Sequence, residues 1–312
     1  MDFGNERSQD IWLSPDEAFT VLGNDVRIQI LQILGEANRA LSFTEIRKEL
    51  GIRQGGQFNY HLDKVVGHFV EKTADGYILR EPGRQVVEAV LSGAVTNDPV
   101  LERTVINFRC HHCDFPVEVD YSQGTMRMSC SECAGQFDEM NAPNNLTRVQ
   151  TGTLANYRLP AAGVDGRSPE EMMRAAATWG HLDSNALACG ICPKCSAVID
   201  QTVQICDDHD AADGRCTQCH SRFALLIESS CSNCIFEARS SAVILVLPIP
   251  EMLVFVGEHG LNTTSLGIEW GWDFDEEIIS TDPLEARLTF TIDGESIALT
   301  IDESLEVVSV ER

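Results

Sequence analysis

Lysine is nearly missing from this chain. Of 312 residues, 23 are basic, and only Lys48, Lys64, Lys72 and Lys194 among them are lysines; the other 19 are arginines. Acids number 48, for a formal charge of −25. Abundant acid, scarce lysine and a preference for arginine fit a protein kept soluble in concentrated salt, as in halophiles, whereas ordinary acidic solubility leaves the missing lysines unexplained. Long apolar runs are missing too. The most apolar stretch, Ala242 to Val256, contains Pro248 and Pro250 and is too short to span a bilayer. Met1 to Ser14 is polar and has no apolar core of a secretory signal. These absences lead us to expect a soluble, cytoplasmic protein without a membrane partner. In that compartment twelve cysteines are expected to be metal ligands rather than disulfides. With 43% hydrophobic residues the chain can bury real cores, which argues against global disorder.

The acidity would ordinarily argue against nucleic acid, because binding draws on cations that neutralise phosphates. Two facts weaken that objection. At molar salt the Debye length shrinks to ~3 Å, so distant acids hardly repel a phosphate backbone. The charge is also uneven: residues 1–95 hold 10 basic and 14 acidic side chains (−4), leaving −21 for the other 217.

Five segments follow from the pattern, giving an expected α+β multidomain chain. Residues 1–95 read as helices with one hairpin, and residues 105–140 hold the first cysteine cluster. Residues 141–188 read as a linker rich in Pro, Gly, Asn and Ala up to Arg167, then a helix opened by Ser168-Pro169-Glu170-Glu171. Residues 189–239 hold the second cluster. Residues 240–312 alternate apolar and polar and end in two strands joined at Asp293-Gly294; a small α/β module for interaction or dimerisation is expected there.

In the first segment Pro15 to Leu22 predicts a short helix. Asn24 or Asp25 caps a second, with Val26, Ile30, Ile33 and Leu34 on one face. Ser42 caps a third, closed by Gly51. Phe58, Leu62, Val65, Val66 and Phe69 then recur at i, i+4, i+7, i+8 and i+11, predicting a fourth helix across a tight turn, the helix-turn-helix pattern. Residues 69–72 and 77–80 flank Ala74-Asp75-Gly76 and predict a hairpin, and a last helix is expected from about Gly83 to Leu91. At 100° per residue, Arg53, Gln57, Tyr60 and Lys64 fall within about 40° of the side opposite Leu62, with His61 at the flank. Together with Lys72 on the hairpin, they offer the donors and acceptors that read base edges and phosphates of double-stranded DNA. The alternative is a solvated face on a helix that only packs.

Ala18-Phe19-Thr20-Val21-Leu22-Gly23-Asn24-Asp25-Val26-Arg27-Ile28-Gln29-Ile30-Leu31, followed by Gly56-Gln57-Phe58-Asn59-Tyr60-His61-Leu62, resembles the ArsR-type winged-helix regulators, particularly those of haloarchaea. The resemblance covers residues 14–95. It implies a winged helix-turn-helix and a homodimeric transcriptional repressor or activator. The chain departs from the metal-sensing branch of that family, since no cysteine precedes Cys110 and the segment's histidines are His61 and His68.

Cys110-His111-His112-Cys113 and Cys130-Ser131-Glu132-Cys133, sixteen residues apart, predict a zinc ribbon: two knuckles joined by a hairpin, four thiolates on one tetrahedral Zn2+. His111 and His112 are expected to be exposed bystanders. The second cluster offers eight more ligands, Cys192, Cys195, Cys206, His209, Cys216, Cys219, Cys231 and Cys234, enough for two further zincs and three per chain. Nearly equal strand-like spacers favour a nested pairing. Cys192, Cys195, Cys231 and Cys234 would form its base, and Cys206, His209, Cys216 and Cys219 its tip; a cross-braced pairing is the alternative. Cys189 is left over.

Four protein ligands leave no position for a reacting water, so structural zinc is expected and no enzyme. Trp270 and Trp272 fit one face of a strand, and no catalytic motif appears in residues 241–312. The composite reading is a DNA-binding transcriptional regulator with structural zinc. The rival classes are a zinc-ribbon adaptor for protein or RNA and a thiol sensor using Cys189. A small-molecule sensor is the alternative reading of residues 241–312, and the sequence does not name an effector.

Overall fold

Serine and asparagine caps start the first helices where the sequence places them. In the computed structural model, which describes residues 13–136, 152–212, 214–262 and 273–312, the chain divides into two compact units, Met1–Asn97 and Asp98–Arg312. The Ser14 side chain accepts the Glu17 N–H while Glu17 returns a bond to the Ser14 N–H, starting α1 (Pro15–Leu22). Asn24 caps α2 (Asp25–Ala37), and Ser42 with Glu45 repeats the reciprocal cap on α3 (Phe43–Glu49). Then come α4 (Gly55–Val65), β1 (Val70–Thr73), β2 (Gly76–Leu79) and α5 (Glu81–Leu91).

Helix α4 stops at Val65, four residues short of the expected end. Val66 turns to an extended conformation and Gly67 takes φ +100°. Phe69 is buried all the same, but from the turn that leads into β1. Arg53 lies in the turn before α4 and not on the helix itself. Ile30, Leu31, Ile46, Phe58, Leu62 and Val65 make the centre of this unit's core. Leu41 forms an antiparallel bridge with Tyr77 beside the hairpin. Gly76 (φ +137°) permits that approach, since a β-carbon there would sit 2.5 Å from the Leu41 carbonyl oxygen.

In the second unit β3 (Leu101–Arg109), β4 (Pro116–Ser122), β5 (Thr125–Cys130) and β6 (Thr153–Arg158) form an antiparallel sheet in that order. The expected linker therefore contains a strand: Thr153–Arg158 pairs along β5, while residues 141–151 lie outside the described residues. Against this sheet packs α6 (Pro169–Ala188), opened by the reciprocal Ser168–Glu171 cap and burying Met172, Met173, Ala176 and Ala177. Next, β7 (Ile199–Ile205), β8 (Leu225–Cys231) and β9 (Glu237–Ser241) form a three-stranded antiparallel sheet. It is followed by α7 (Val243–Val246) and α8 (Pro250–Glu258).

The chain ends in an antiparallel meander: β10 (Asp273–Thr281), β11 (Leu284–Ile292), β12 (Glu295–Asp302) and β13 (Val307–Glu311). This corrects the expected α/β module. Every described strand pair there is antiparallel, so the segment is α+β, and two strands join the pair turning at Asp293-Gly294. Trp270 and Trp272 lie outside the described residues. Leu225 and Ile227 of β8 share one core with α7, α8 and the meander. Among the described residues no helix is long and apolar enough to cross a membrane.

Glu276 on β10 turns its carboxyl inward, where the N–H groups of Leu225 and Ala224 donate to it. Burial pushes the group up from its ordinary 4.5 to about 7. A carboxyl raised in the folded state favours folding when protonated. Its contribution is therefore complete below pH 4.5 and is lost as the pH rises through about 7. Glu276→Gln keeps an acceptor for both N–H groups, so it should flatten the fall in stability across that window. Urea denaturation at a series of pH values checks this, and parallel curves for variant and parent would rule it out.

Candidate metal centres

Three groups of four side chains bring their ligand atoms within 4.8 Å of one another: Cys110, Cys113, Cys130 and Cys133; Cys192, Cys195, Cys231 and Cys234; Cys206, His209, Cys216 and Cys219. The second cluster thus groups in the nested way, with the base tetrad at one end of the β7–β8 ladder and the tip tetrad beyond the other. In the first tetrad Cys110–Cys133 and Cys113–Cys130 sulfurs lie 3.6 and 3.4 Å apart. In the base tetrad Cys192–Cys234 and Cys195–Cys231 lie at 3.7 and 3.5 Å. At the tip the Cys206–Cys216 sulfurs are 3.9 Å apart, and Cys219 Sγ is 3.4 Å from His209 Nδ1. A disulfide needs ~2.05 Å. Four sulfurs at ~2.3 Å from one ion have tetrahedral edges of about 3.8 Å, so the donor sets and their spacing suit a four-coordinate metal.

One backbone turn recurs at these sites. The N–H groups of Cys110, Cys192 and Cys216 donate to the carbonyls five residues on, Phe115 (2.8 Å), Ala197 (2.8 Å) and Ser221 (2.9 Å). The N–H groups of Asp114, Ser196 and His220 return to the three cysteine carbonyls at 2.8, 2.9 and 2.9 Å. Those three residues all take left-handed φ, 59°, 60° and 55°. Cys231 shares the first bond, to Phe236 at 3.0 Å. In these turns, and at Cys130, an N–H is also aimed at sulfur: Glu132 to Cys130, Lys194 to Cys192 and Gln218 to Cys216 at 3.4 Å, and Asn233 to Cys231 at 3.3 Å. Such bonds favour thiolate over thiol. The Ala197 and Asp210 N–H groups lead in drawing Cys195 and Cys216, respectively, down to about 6, while burial and then the neighbouring sulfurs push Cys206 up to about 12.

His111 and His112 stand outside all three tetrads. His112 is not the exposed bystander expected: it is half-buried, and its Nε2 is shielded without a hydrogen-bond partner. Burial first, then His111 and the Arg222 guanidinium, hold its imidazole down to about 3. Cys189 caps the end of α6, exposed and outside the tetrads.

The side chains that the sequence offers as candidates for nucleic-acid contact sit in the first unit. Gln57, Tyr60 and Lys64 are exposed on α4, opposite buried Phe58, Leu62 and Val65. The Lys64 ammonium lies 5.7 Å from the Tyr60 ring centre, and that of Lys72, exposed on β1, 5.9 Å from the ring of its cross-strand partner Tyr77. Arg53 is exposed in the preceding turn. His61 differs: it is half-buried, with Nδ1 shielded and unpartnered, so it is tucked against the body of the unit. Asn59 donates to Asp63 at 2.7 Å, tying up the acid nearest this face.

The model of a domain of unknown function, DUF7351, matches residues 107–307, more than half of the chain. The chain belongs to the DUF7351 family. Its matched span takes in all three tetrads. A second domain of unknown function, DUF7347, matches residues 15–90, where the six candidate nucleic-acid residues of this DUF7351 chain lie. No curated protein and no solved structure matches it.

Elemental analysis of the purified chain should find three metal ions per molecule. Cys195→Ser, which breaks the base tetrad, should lower that to two, and Cys189→Ser should leave it at three. A loss of metal on changing Cys189 would refute the assignment of ligands.

Proposed function

We propose that this chain is a DNA-binding transcriptional regulator whose three tetrads hold structural Zn2+. The observation that carries the reading is the two-sided character of α4: an apolar seam sunk in its own unit's core, and on the other side Gln57, Tyr60 and Lys64 open to solvent. Four short helices, a turn of five residues between α3 and α4, and a two-stranded hairpin carrying Lys72 support a winged helix-turn-helix, with α4 entering the major groove and the hairpin beside it. The resemblance to ArsR-type regulators supports the same reading and implies a homodimer. Phe19, 74% exposed on a helix with no buried residue, suits a surface that a second copy covers.

Zinc is the metal that suits the tetrads. Thiolate and imidazole are its soft and borderline ligands, and four protein donors close the coordination sphere. A closed site contributes to folding and does not activate water. The thiol-sensor alternative keeps one specific observation in its favour, the exposed Cys189 three residues from Cys192. Graded peroxide added to operator-bound protein separates the two: a reversible loss of binding that Cys189→Ser abolishes would favour the sensor.

Occupancy of the tagged protein across its host genome supplies the operator. On that sequence Arg53→Ala and Gln57→Ala should each relax base preference, by about 1–3 kcal/mol per lost base contact. Lys64→Ala should weaken binding to all sequences alike and reduce the salt slope by about one. Undiminished binding by a folded Arg53/Gln57/Lys64 triple-alanine variant in fluorescence anisotropy would remove α4 as the reader.

A further inference from the structure

Two of the three tetrads are joined by a short path of hydrogen bonds that passes through Arg222. At the tip, His209 turns Nδ1 toward Cys219 Sγ (3.4 Å) and has its Nε2 3.1 Å from the Arg222 carbonyl oxygen. With Nδ1 on the metal, Nε2 carries the proton and donates to that carbonyl. An imidazole ligand is characteristically oriented this way, by a backbone acceptor on its other nitrogen.

The same residue reaches away from the tip. Arg222 Nε–H donates to the Gly135 carbonyl at 2.7 Å, and the Arg222 backbone N–H to the Gln136 carbonyl at 3.3 Å. Gly135 stands two residues beyond Cys133, a ligand of the first tetrad. Its place is tightly determined. It takes φ +72°, and a β-carbon would lie 2.3 Å from the Thr153 carbonyl oxygen. On either side of it, Gly152 N–H donates to Ala134 at 3.2 Å and Gln136 N–H to Thr153 at 2.7 Å. The Gln136 side chain meets His111 Nε2 at 3.1 Å, inside the first knuckle. A β-carbon on Gly214 would fall 3.7 Å from that of Ala134, so the tip loop passes close to residue 134.

We propose that Arg222 is a positioning residue that couples the first and tip metal centres, so that they load and release metal as a pair, while the base centre on Cys192, Cys195, Cys231 and Cys234 exchanges independently. The inference rests on the metal-binding reading above. Its physical basis is that metal binding and folding of a small loop are one equilibrium. When the tip ion leaves, His209 loses its orientation and the Arg222 carbonyl its donor. The loop carrying Arg222 then no longer braces residues 134–136, and the Cys130–Cys133 knuckle is held less firmly on its ion. The base tetrad has no part in this path. It is attached instead to α6 through Lys194, whose ammonium meets Asp183 at 2.8 Å.

Cadmium-113 NMR of the full-length chain tests this. Three resonances are expected, with the tip centre distinguished by its imidazole and the others assigned through couplings to cysteine β-protons. With EDTA added in steps, the first and tip signals should fade together and the base signal at its own rate. Arg222→Ala removes the guanidinium bond to Gly135 but keeps the carbonyl that His209 meets, so of the first and tip ions it should speed chiefly the release of the first, by about tenfold. It should also separate their rates from each other and leave the base ion unchanged. Arg222→Lys keeps the charge but loses the Nε–H; it should show the same site-selective effect at smaller amplitude, and it serves if the alanine variant does not fold. Parental rates in both variants, or equal acceleration at all three centres, would overturn the coupling. A parent chain that binds no metal at the first or tip centre would overturn the metal reading itself, which a fully loaded chain with unlinked release would leave standing.

Discussion

Soft donors held within 4.8 Å of one another oppose themselves unless something positive lies between them. Each tetrad gathers three or four sulfurs, and several accept backbone N–H groups that favour the thiolate. Uncompensated, such a group repels itself; around a dication the same geometry is attractive, and a loop with little apolar content becomes a fixed turn. The second unit is built on that constraint. The β7–β8 ladder runs from Ile199↔Cys231 to Ile205↔Leu225, with the base tetrad at the first end and Cys206 of the tip tetrad just past the second. Helix α6 starts in the core of the first sheet and ends at Cys189, three residues before Cys192. Strand β8 then passes its buried face to the core of the meander. Cys110 and Cys130 lie in the core of the first sheet, and Cys192 in a small cluster with Leu187 and Ile199.

Much of this was legible because the signals are local. A two-residue gap between cysteines identifies a knuckle wherever it occurs, and near-equal spacers between four knuckle-like pairs favoured nesting over cross-bracing. Ser14, Ser42 and Ser168 announce helices by side chains that bond three residues on. What stayed hidden depends on partners distant in sequence. Strand β6 sits in a stretch rich in Pro, Gly and Asn, and only its pairing with β5 makes it a strand. The early end of α4 is a similar case, for the apolar period continues to Phe69 although the backbone leaves the helix at Val66. The recurrent knuckle turn has no signature beyond its cysteines: its left-handed position is filled by Asp114, Ser196 and His220, three unlike residues that share a conformation. Nothing near Arg222 in sequence reveals its bond to Gly135, 87 residues away.

The use of cations follows from the same geometry. An arginine offers a planar fork that can satisfy a carbonyl or a carboxylate at a fixed angle, whereas lysine is a point charge on a flexible stem. In the second unit the forks are structural: Arg222 holds the Gly135 carbonyl, and Arg127 grips Asp120 across β4 and β5 with both groups largely buried. Of the four lysines one belongs to this unit, Lys194, paired with Asp183. The other three lie in the first unit, where Lys64 and Lys72 are exposed and rest over tyrosine rings. Lys48, Lys64 and Lys72 are the exposed lysines of this unit. Two of them fall on the face and hairpin that the regulator reading assigns to phosphate contact.

A division of labour between the units follows from where the ligands are. The first unit closes its core with Ile30, Leu31, Ile46, Phe58, Leu62 and Val65 and contains none of the twelve ligands. Its stability comes from apolar burial and helix caps, which respond to temperature and denaturant but not to chelators. The second unit's loops gather around tetrads, and a metal bound there would make them respond to chelators, acid and thiol oxidation. All three tetrads lie in residues 98–312, so a metal- or thiol-dependent change at them begins in the second unit. A closed four-ligand site resists such change more than an open one, because a ligand must leave before anything else can bind. This is why the tetrads are better suited to holding a shape than to reporting a signal, and why an exposed thiol outside them is the place where a sensor would have to begin.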